Sequence, residues 1–190
     1  MIGNDIVDLR LAEKQSNWKR RGFLDKVFSR EEQAVISSSS VPDTLVWRLW
    51  SMKESAYKAR LRSQKSIQIN PRSFDCQILS ETEGLVKYGK NRYHTVSQIT
   101  SDFVHTRASL SKSDLGIFSN VIHMDQCLLQ SDQLYKVLIS FVAGYRLDLT
   151  DLELVKNSLG IPELFSKGKR TQVLCSLSHH GRYGSYLTKI

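Results

Sequence analysis

The sequence predicts an α+β fold, with an antiparallel sheet packed against a long helix, and three observations carry that expectation. From Asp43 to about Leu61 there is no Gly or Pro, and Leu45, Leu49, Met52, Ala56 and Ala59 recur at helical spacing. From Phe74 to His123 the chain breaks into short β-branched and aromatic runs separated by Gly, Asn, Ser and Asp. The regular alternation of strand and helix that a doubly wound parallel sheet needs is absent.

Taken in order, Ile2 to Leu9 is rich in Ile and Val with carboxylates between, which suits a strand whose end carries Asp5 and Asp8. Ser29 with Glu32 three residues on forms a capping box ahead of Ala34, Val35 and Ile36, so a short helix begins there and ends in the serine run 37–40. Asp43 caps the long helix. Phe74 to Leu79, Leu85 to Tyr88, Tyr93 to Ile99, Phe103 to Leu110 and Gly116 to His123 then read as one antiparallel meander. Two helices follow. One starts after Asp132 with Leu134, Leu138, Phe141, Val142 and Tyr145 on a face; the other is capped by Thr150 and Glu153 and closed by Gly160 before Pro162. A last hairpin, Val173 to Leu177 and Gly184 to Leu187, turns through SHHGRY. The whole reads as a single domain over 1–190, divisible into two small lobes at 1–125 and 126–190.

Lys+Arg 27 against Asp+Glu 19 gives a net charge of +8 and favours an acidic partner. Three widely spaced cysteines fit neither a disulfide framework nor a zinc knuckle, and a reducing cytoplasm is the expected compartment. No apolar run approaches the ~18 residues of a membrane span, and the opening MIGNDIVDL lacks the basic and apolar regions of a secretory leader, so no membrane partner is expected. Walker A, GxGxxG, GxSxG and nucleic-acid motifs are also missing, which removes support for nucleotide hydrolysis, dinucleotide redox chemistry, serine hydrolysis and a nucleic-acid partner.

Within WRLWSMKESAYKA, Trp50, Glu54 and Lys58 stand at i, i+4 and i+8 and share one helix face beside the apolar stripe. An exposed Glu-to-Lys pair at that spacing contributes only ~0.3–0.5 kcal/mol. A tryptophan on the same face and two early carboxylates open a second possibility. Asp5, Glu54 and Asp8 together have the chemistry to hold a hard divalent ion, because Mg²⁺ takes one or two carboxylates plus phosphate oxygens and waters. The stretch Ser176 to Arg182 combines hydroxyls, His179, His180 and a cation in a turn, either a plain hairpin or a phosphate cradle. His94, His105 and His123 lack ligand spacing and read as structural. Lys19, Arg20, Arg21, Lys26 and Arg30 form either a solvated basic face or a docking surface for an acidic partner.

These residues together resemble the 4′-phosphopantetheinyl transferase superfamily. Its Gly-x-Asp-Ile segment is similar to Gly3-Asn4-Asp5-Ile6, and its Trp/Phe-x-x-Lys-Glu-Ser/Ala-x-x-Lys helix to Trp50 through Lys58. Phe28 to Glu32 resembles the segment ahead of that helix, and Ser176-Leu177-Ser178-His179 its Ser-x-Ser-His strand. The resemblance implies Mg²⁺-dependent transfer of the phosphopantetheine arm of coenzyme A to a serine of an acyl or peptidyl carrier protein, with release of 3′,5′-ADP. It further implies that Asp5 and Glu54, with Asp8, bind the metal and that Glu54 accepts the serine proton. Lys58 would steady the departing oxygens, and Ser178, His179 and Lys53 would contact coenzyme A. Carrier proteins of this kind are acidic, so the basic balance acquires a partner.

The chain departs from the family at Val7, where the long two-lobed class carries an acid; Asp8, one residue further, matches the short synthase-type class. The helix wording is that of the long class, while a Ser-x-Ser-His at the carboxyl end follows the order of the short class. Gly160 to Ile190 is then a displaced piece of a first lobe. Short-class enzymes build their site between subunits, which leaves a homo-oligomer open. The competing expectation is a degenerate module that binds coenzyme A or a carrier without turnover.

Overall fold

The computed structural model of the chain describes residues 1–63, 70–113 and 116–190. Two five-stranded antiparallel sheets account for most of it. The first has the order β1-β5-β4-β3-β2, formed by β1 (Ile2–Asp8), β2 (Asp75–Ile78), β3 (Glu83–Tyr88), β4 (Asn91–Ile99) and β5 (Phe103–Ser109). The second has the order β6-β10-β9-β8-β7, formed by β6 (Ile117–His123), β7 (Leu152–Lys156), β8 (Pro162–Ser166), β9 (Lys169–His180) and β10 (Tyr183–Lys189). A meander forms as expected from β2 to β5. β6 leaves it, pairing with β10 instead, so the chain passes from one sheet to the other between Ser109 and Ile117.

Each sheet carries one long helix: α4 (Pro42–Leu61) on the first and α5 (Gln130–Tyr145) on the second. Three short helices, α1 (Leu9–Gln15), α2 (Phe23–Val27) and α3 (Arg30–Ser38), fill the path from β1 to α4. The Ser29 and Glu32 capping box forms at the start of α3. Pro42 occupies the first turn of α4, where its missing N–H costs nothing, and Asp43 lies inside the helix rather than capping it; its carboxylate accepts the Trp18 indole N–H at 2.7 Å. The first core gathers Phe28, Val46, Leu49, Met52, Phe74 and Tyr93, the second Leu138, Val142, Leu164, Cys175 and Tyr186.

The helix expected over Thr150 to Gly160 is a strand, β7, paired with β8. Thr150 and Glu153 imitate a capping box, but Leu152 and Leu154 alternate with polar neighbours at the period of a strand, and Leu154 enters the second core. With β7 and β8 added, the carboxyl-terminal segment belongs to a complete sheet with its own helix. β9 and β10 close through Gly181 and Arg182, and Gly181 takes the positive φ of 57° that a two-residue hairpin turn asks of its first central residue.

β1 is buried along its whole length because it is covered from both sides. On one face lies α4, whose Ser51, Ser55 and Ala59 form a stripe of small residues at i, i+4 and i+8. A Cβ at Gly3 would meet the Ser55 carbonyl oxygen at 2.2 Å and the Ala59 nitrogen at 2.5 Å, so only glycine permits this approach. On the other side, β9 and β10 of the second sheet meet the open edge of β1. The two sheets are thereby joined along the strand that carries Asp5.

Candidate active site between the two sheets

The edge of β1 away from β5 presents backbone N–H groups that no strand receives. Side chains from alternate positions of β9 take them: Ser176 Oγ accepts from Asn4 N at 3.1 Å, Ser178 Oγ from Ile6 N at 3.2 Å and His180 Nδ1 from Asp8 N at 2.9 Å. Period-two spacing puts these three side chains on one face of β9, and the same spacing puts the three amides on one edge of β1. Asn4 Nδ2 adds a bond to Ser185 Oγ at 2.8 Å. Because His180 Nδ1 accepts, its proton sits on Nε2.

Asp5 lies at the centre of this seam. Its Oδ1 accepts from Lys58 Nζ at 3.1 Å and from Ser178 Oγ at 2.9 Å, one partner from each side of the junction. Its Oδ2 takes no hydrogen bond among the described residues. Lys58 also donates to the Asn4 carbonyl at 2.9 Å, which leaves the third of its three ammonium donors open. Glu54, one turn back along α4, makes no hydrogen bond or ion pair among the described residues. Burial raises its carboxyl, the Asp5 charge raises it further, and Lys58 offsets only part of this, so the group is pushed up to about 7. Asp5, Trp50 and His179 line a cleft of about 230 Å³ together with Phe23, Trp47 and His180. Trp50 lines this cleft, Lys58 bonds to β1 and Glu54 is largely buried beside the Asp5 charge, so their shared face is not a solvated flank.

Asp8 is not part of this group. Its carboxylate is 1% exposed, takes two guanidinium bonds from Arg182 at 2.9 Å each and the Arg182 N–H at 3.0 Å, and caps α1 through the amides of Arg10 and Leu11. Burial opposes its ionisation, but the bonds from Arg182 and Leu11 outweigh it and hold the carboxyl well below the usual range. Arg182 is committed to this pairing, so the cation of the SHHGRY turn serves as a latch between the sheets.

Lys53 lies outside the site as well. It is 1% exposed, paired with Glu32 at 2.8 Å, and donates to the carbonyls of Pro71 and Phe74. Lys53 and Glu54 are adjacent on a helix and so point about 100° apart, one inward and one toward the seam. Glu32 completes the arrangement by accepting from Ser29 N and Cys76 N. The capping signal identified Glu32 without revealing its buried lysine partner.

A metal fits the chemistry of what remains. Asp5 Oδ2 and the Glu54 carboxylate are hard oxygens with no hydrogen-bond partner among the described residues, and two carboxylates completed by phosphate oxygens and waters are an ordinary Mg²⁺ complement. Among the described residues no group of three or more His, Cys, Asp or Glu side chains gathers as a self-sufficient metal site. His105, 4% exposed with an unpartnered Nε2, sits on the neighbouring strand, and burial pushes it down to about 4, so it stays neutral. Among the described residues no helix is long and apolar enough to cross a membrane.

A family model described as the 4′-phosphopantetheinyl transferase superfamily matches residues 1–108. No curated protein matches the chain. Among solved structures the chain is similar to the Helicobacter pylori holo-[acyl-carrier-protein] synthase in complex with coenzyme A, at 17% identity and a TM-score of 0.46 over 57% of this chain and 97% of that one. It is also similar to the Thermotoga maritima holo-[acyl-carrier-protein] synthase, at 11% identity and a TM-score of 0.46 over 89% of this chain and 83% of that one.

Proposed function

Because the chain belongs to the 4′-phosphopantetheinyl transferase superfamily, we propose that it moves the 4′-phosphopantetheine arm of coenzyme A onto a serine hydroxyl of a carrier protein, releasing 3′,5′-ADP. The observation that carries this reading is a pair of carboxylate groups, Asp5 Oδ2 and Glu54, that take no hydrogen bond among the described residues, with Lys58 bonded to Asp5 and Asp5 itself lining an aromatic-walled cleft.

Asp5 and Glu54 are the residues that would hold Mg²⁺, which when bound supplies charge neutralisation to the pyrophosphate. The chain's own groups do the rest. Glu54 would take the serine proton, directly or through water. The serine oxygen then bonds to the phosphorus that bears pantetheine, and the phosphoanhydride P–O bond breaks with its electron pair leaving on 3′,5′-ADP. Lys58 is anchored by Asn4 and Asp5, and its remaining N–H meets the oxygen on which charge grows. His179, exposed and lining the cleft, would meet the phosphates of coenzyme A. Lys53 is assigned to the core instead.

Ala12, Ser16 and Phe23 also line the cleft, and the same segment carries Arg10, Lys14, Lys19, Arg20 and Arg21, all exposed. A basic surface bordering the cleft supports an acidic carrier as the acceptor. Both sheets of one chain contribute to the site, which supports a protein that needs no second subunit to assemble it. Cytoplasmic location is in keeping with coenzyme A as the donor.

The test is mass spectrometry of an apo carrier protein incubated with the chain, coenzyme A and Mg²⁺, in which the carrier gains the mass of the arm. The withdrawal of Asp8 onto Arg182, with Val7 beside it, favours one second reading, a module that binds coenzyme A without turnover. Coenzyme A binding with an unmodified carrier would decide for that reading.

A further inference from the structure

We propose that Ser178 is a positioning residue for Asp5, fixing which carboxylate oxygen is left open to the metal, and that it is not a contact for coenzyme A phosphate. The inference rests on the reading of Asp5 as a metal-binding carboxylate.

A serine hydroxyl has one proton to give. The Ile6 amide donates to Ser178 Oγ at 3.2 Å, which fixes the orientation of the hydroxyl, and the proton then lies along the 2.9 Å bond to Asp5 Oδ1. A phosphate oxygen accepts hydrogen bonds and cannot donate them, so a Ser178 bonded to Asp5 has nothing to offer it. The residue is also 7% exposed, inside the junction rather than on the cleft wall. With Lys58 on the same oxygen, Oδ1 carries two donors, and Oδ2 is the oxygen that stays free. The bond from Ser178 comes from the second sheet while the carboxylate and Lys58 come from the first, so docking of the sheets and orientation of Asp5 are one event.

The chain supplies its own control. Ser176 occupies the equivalent place two residues earlier and accepts from Asn4 N at 3.1 Å, with no hydrogen bond to Asp5, Glu54 or Lys58 among the described residues. Ser176→Ala and Ser178→Ala each remove one seam bond of the same kind, and only the second removes a bond to Asp5.

The experiment is a Mn²⁺ titration followed by electron paramagnetic resonance at saturating coenzyme A, on the unmodified protein, Ser178→Ala, Ser178→Thr and Ser176→Ala. Melting temperatures and the coenzyme A dissociation constant are measured alongside. Loss of the outer partner of a metal ligand commonly lowers affinity about 10–100-fold, so Ser178→Ala should weaken Mn²⁺ binding by at least about tenfold with coenzyme A affinity unchanged. Ser176→Ala should lose thermal stability through its one seam bond while binding Mn²⁺ normally, and Ser178→Thr, which keeps the hydroxyl, should recover the metal. Weakened coenzyme A binding with normal Mn²⁺ binding in Ser178→Ala would overturn the proposal, as would equal Mn²⁺ losses in the two alanine variants. An unmodified protein that binds no Mn²⁺ would overturn it too. One that binds Mn²⁺ but transfers nothing would instead refute the proposed activity, with the Ser178 comparison still decisive on metal binding.

Discussion

Lys58 reaches across from α4 to β1 and pairs with Asp5, Nζ to Oδ1 at 3.1 Å, rather than with Glu54 one turn back on its own helix. The i, i+4 spacing that suggests a surface pair is satisfied, yet the pairing is tertiary. Its Asp5 side chain is 11% exposed and its Lys58 side chain 28%, so the charge of the cation is only partly hydrated.

Lys58→Ala should therefore act on chemistry. Removal of a donor aimed at a developing oxyanion costs about 10²–10³ in kcat, so a loss on that scale with little change in KM is expected. Lys58→Arg should rescue poorly, because a planar fork cannot reproduce a compact ammonium held by Asn4 and Asp5. The exposed Lys90 gives the comparison: a kcat for Lys58→Ala equal to that of Lys90→Ala returns Lys58 to a structural role.

Glu54→Gln should separate stability from activity. The folded carboxyl titrates near 7 and the unfolded one near 4.5, so between these values the folded chain binds the extra proton, and stability falls as pH rises. At about 1.36 kcal/mol per pKa unit, ionising Glu54 costs the fold about 3 kcal/mol above pH 7. Glu54→Gln, free of that burden, should melt higher than the unmodified protein at pH 8, converge with it below about pH 4.5, and transfer nothing. Melting curves at the two pH values and the carrier mass assay measure both halves; identical melting at pH 8 would contradict the assignment.

The buried pair of Lys53 and Glu32 makes an opposite forecast for the neighbouring residue. Lys53→Met strands a carboxylate that is 3% exposed and should cost roughly 3–5 kcal/mol in chemical denaturation, the scale for breaking a buried ion pair. Lys53→Met with Glu32→Gln should recover part of that loss, since glutamine still accepts from Ser29 and Cys76. If Lys53 met coenzyme A, the variant would instead keep its stability and raise KM for coenzyme A alone.

Charge reversal at Arg20 and Arg21 should slow encounter with an acidic carrier. Electrostatic steering lifts association rates by about 10–10³, so the double change to glutamate should raise KM for the carrier at least about tenfold at low salt, leave KM for coenzyme A unaltered, and lose its effect as salt rises. Equal losses for both substrates would remove this face from recognition.

Local signals in the chain were enough for several of its elements. Periodicity in 43–61 marked α4 and the shared face of Trp50, Glu54 and Lys58, because a helix places i and i+4 together whatever surrounds it. Ser29 and Glu32 marked the start of α3, since a capping box is closed within four residues. The Gly3-Asn4-Asp5-Ile6 segment was legible as a motif, although the reason for its glycine, a helix backbone pressed against β1, appears only in three dimensions. Contacts between distant segments set the remainder. Whether Thr150 to Lys156 became helix or strand depended on β8 waiting to pair with it, a contact that local spacing does not encode. Asp5 and Asp8 look alike in sequence, yet Arg182, 174 residues along the chain, takes Asp8, while Ser178, 173 residues away, and Lys58 leave Asp5 with one free oxygen. Lys53 and Glu54 are neighbours in the chain and were separated by 100° of helix rotation into core and site. A carboxylate or ammonium has no fixed role until its partners are chosen, and partners drawn from opposite ends of a chain are chosen by the packing of two sheets, not by the residues beside them.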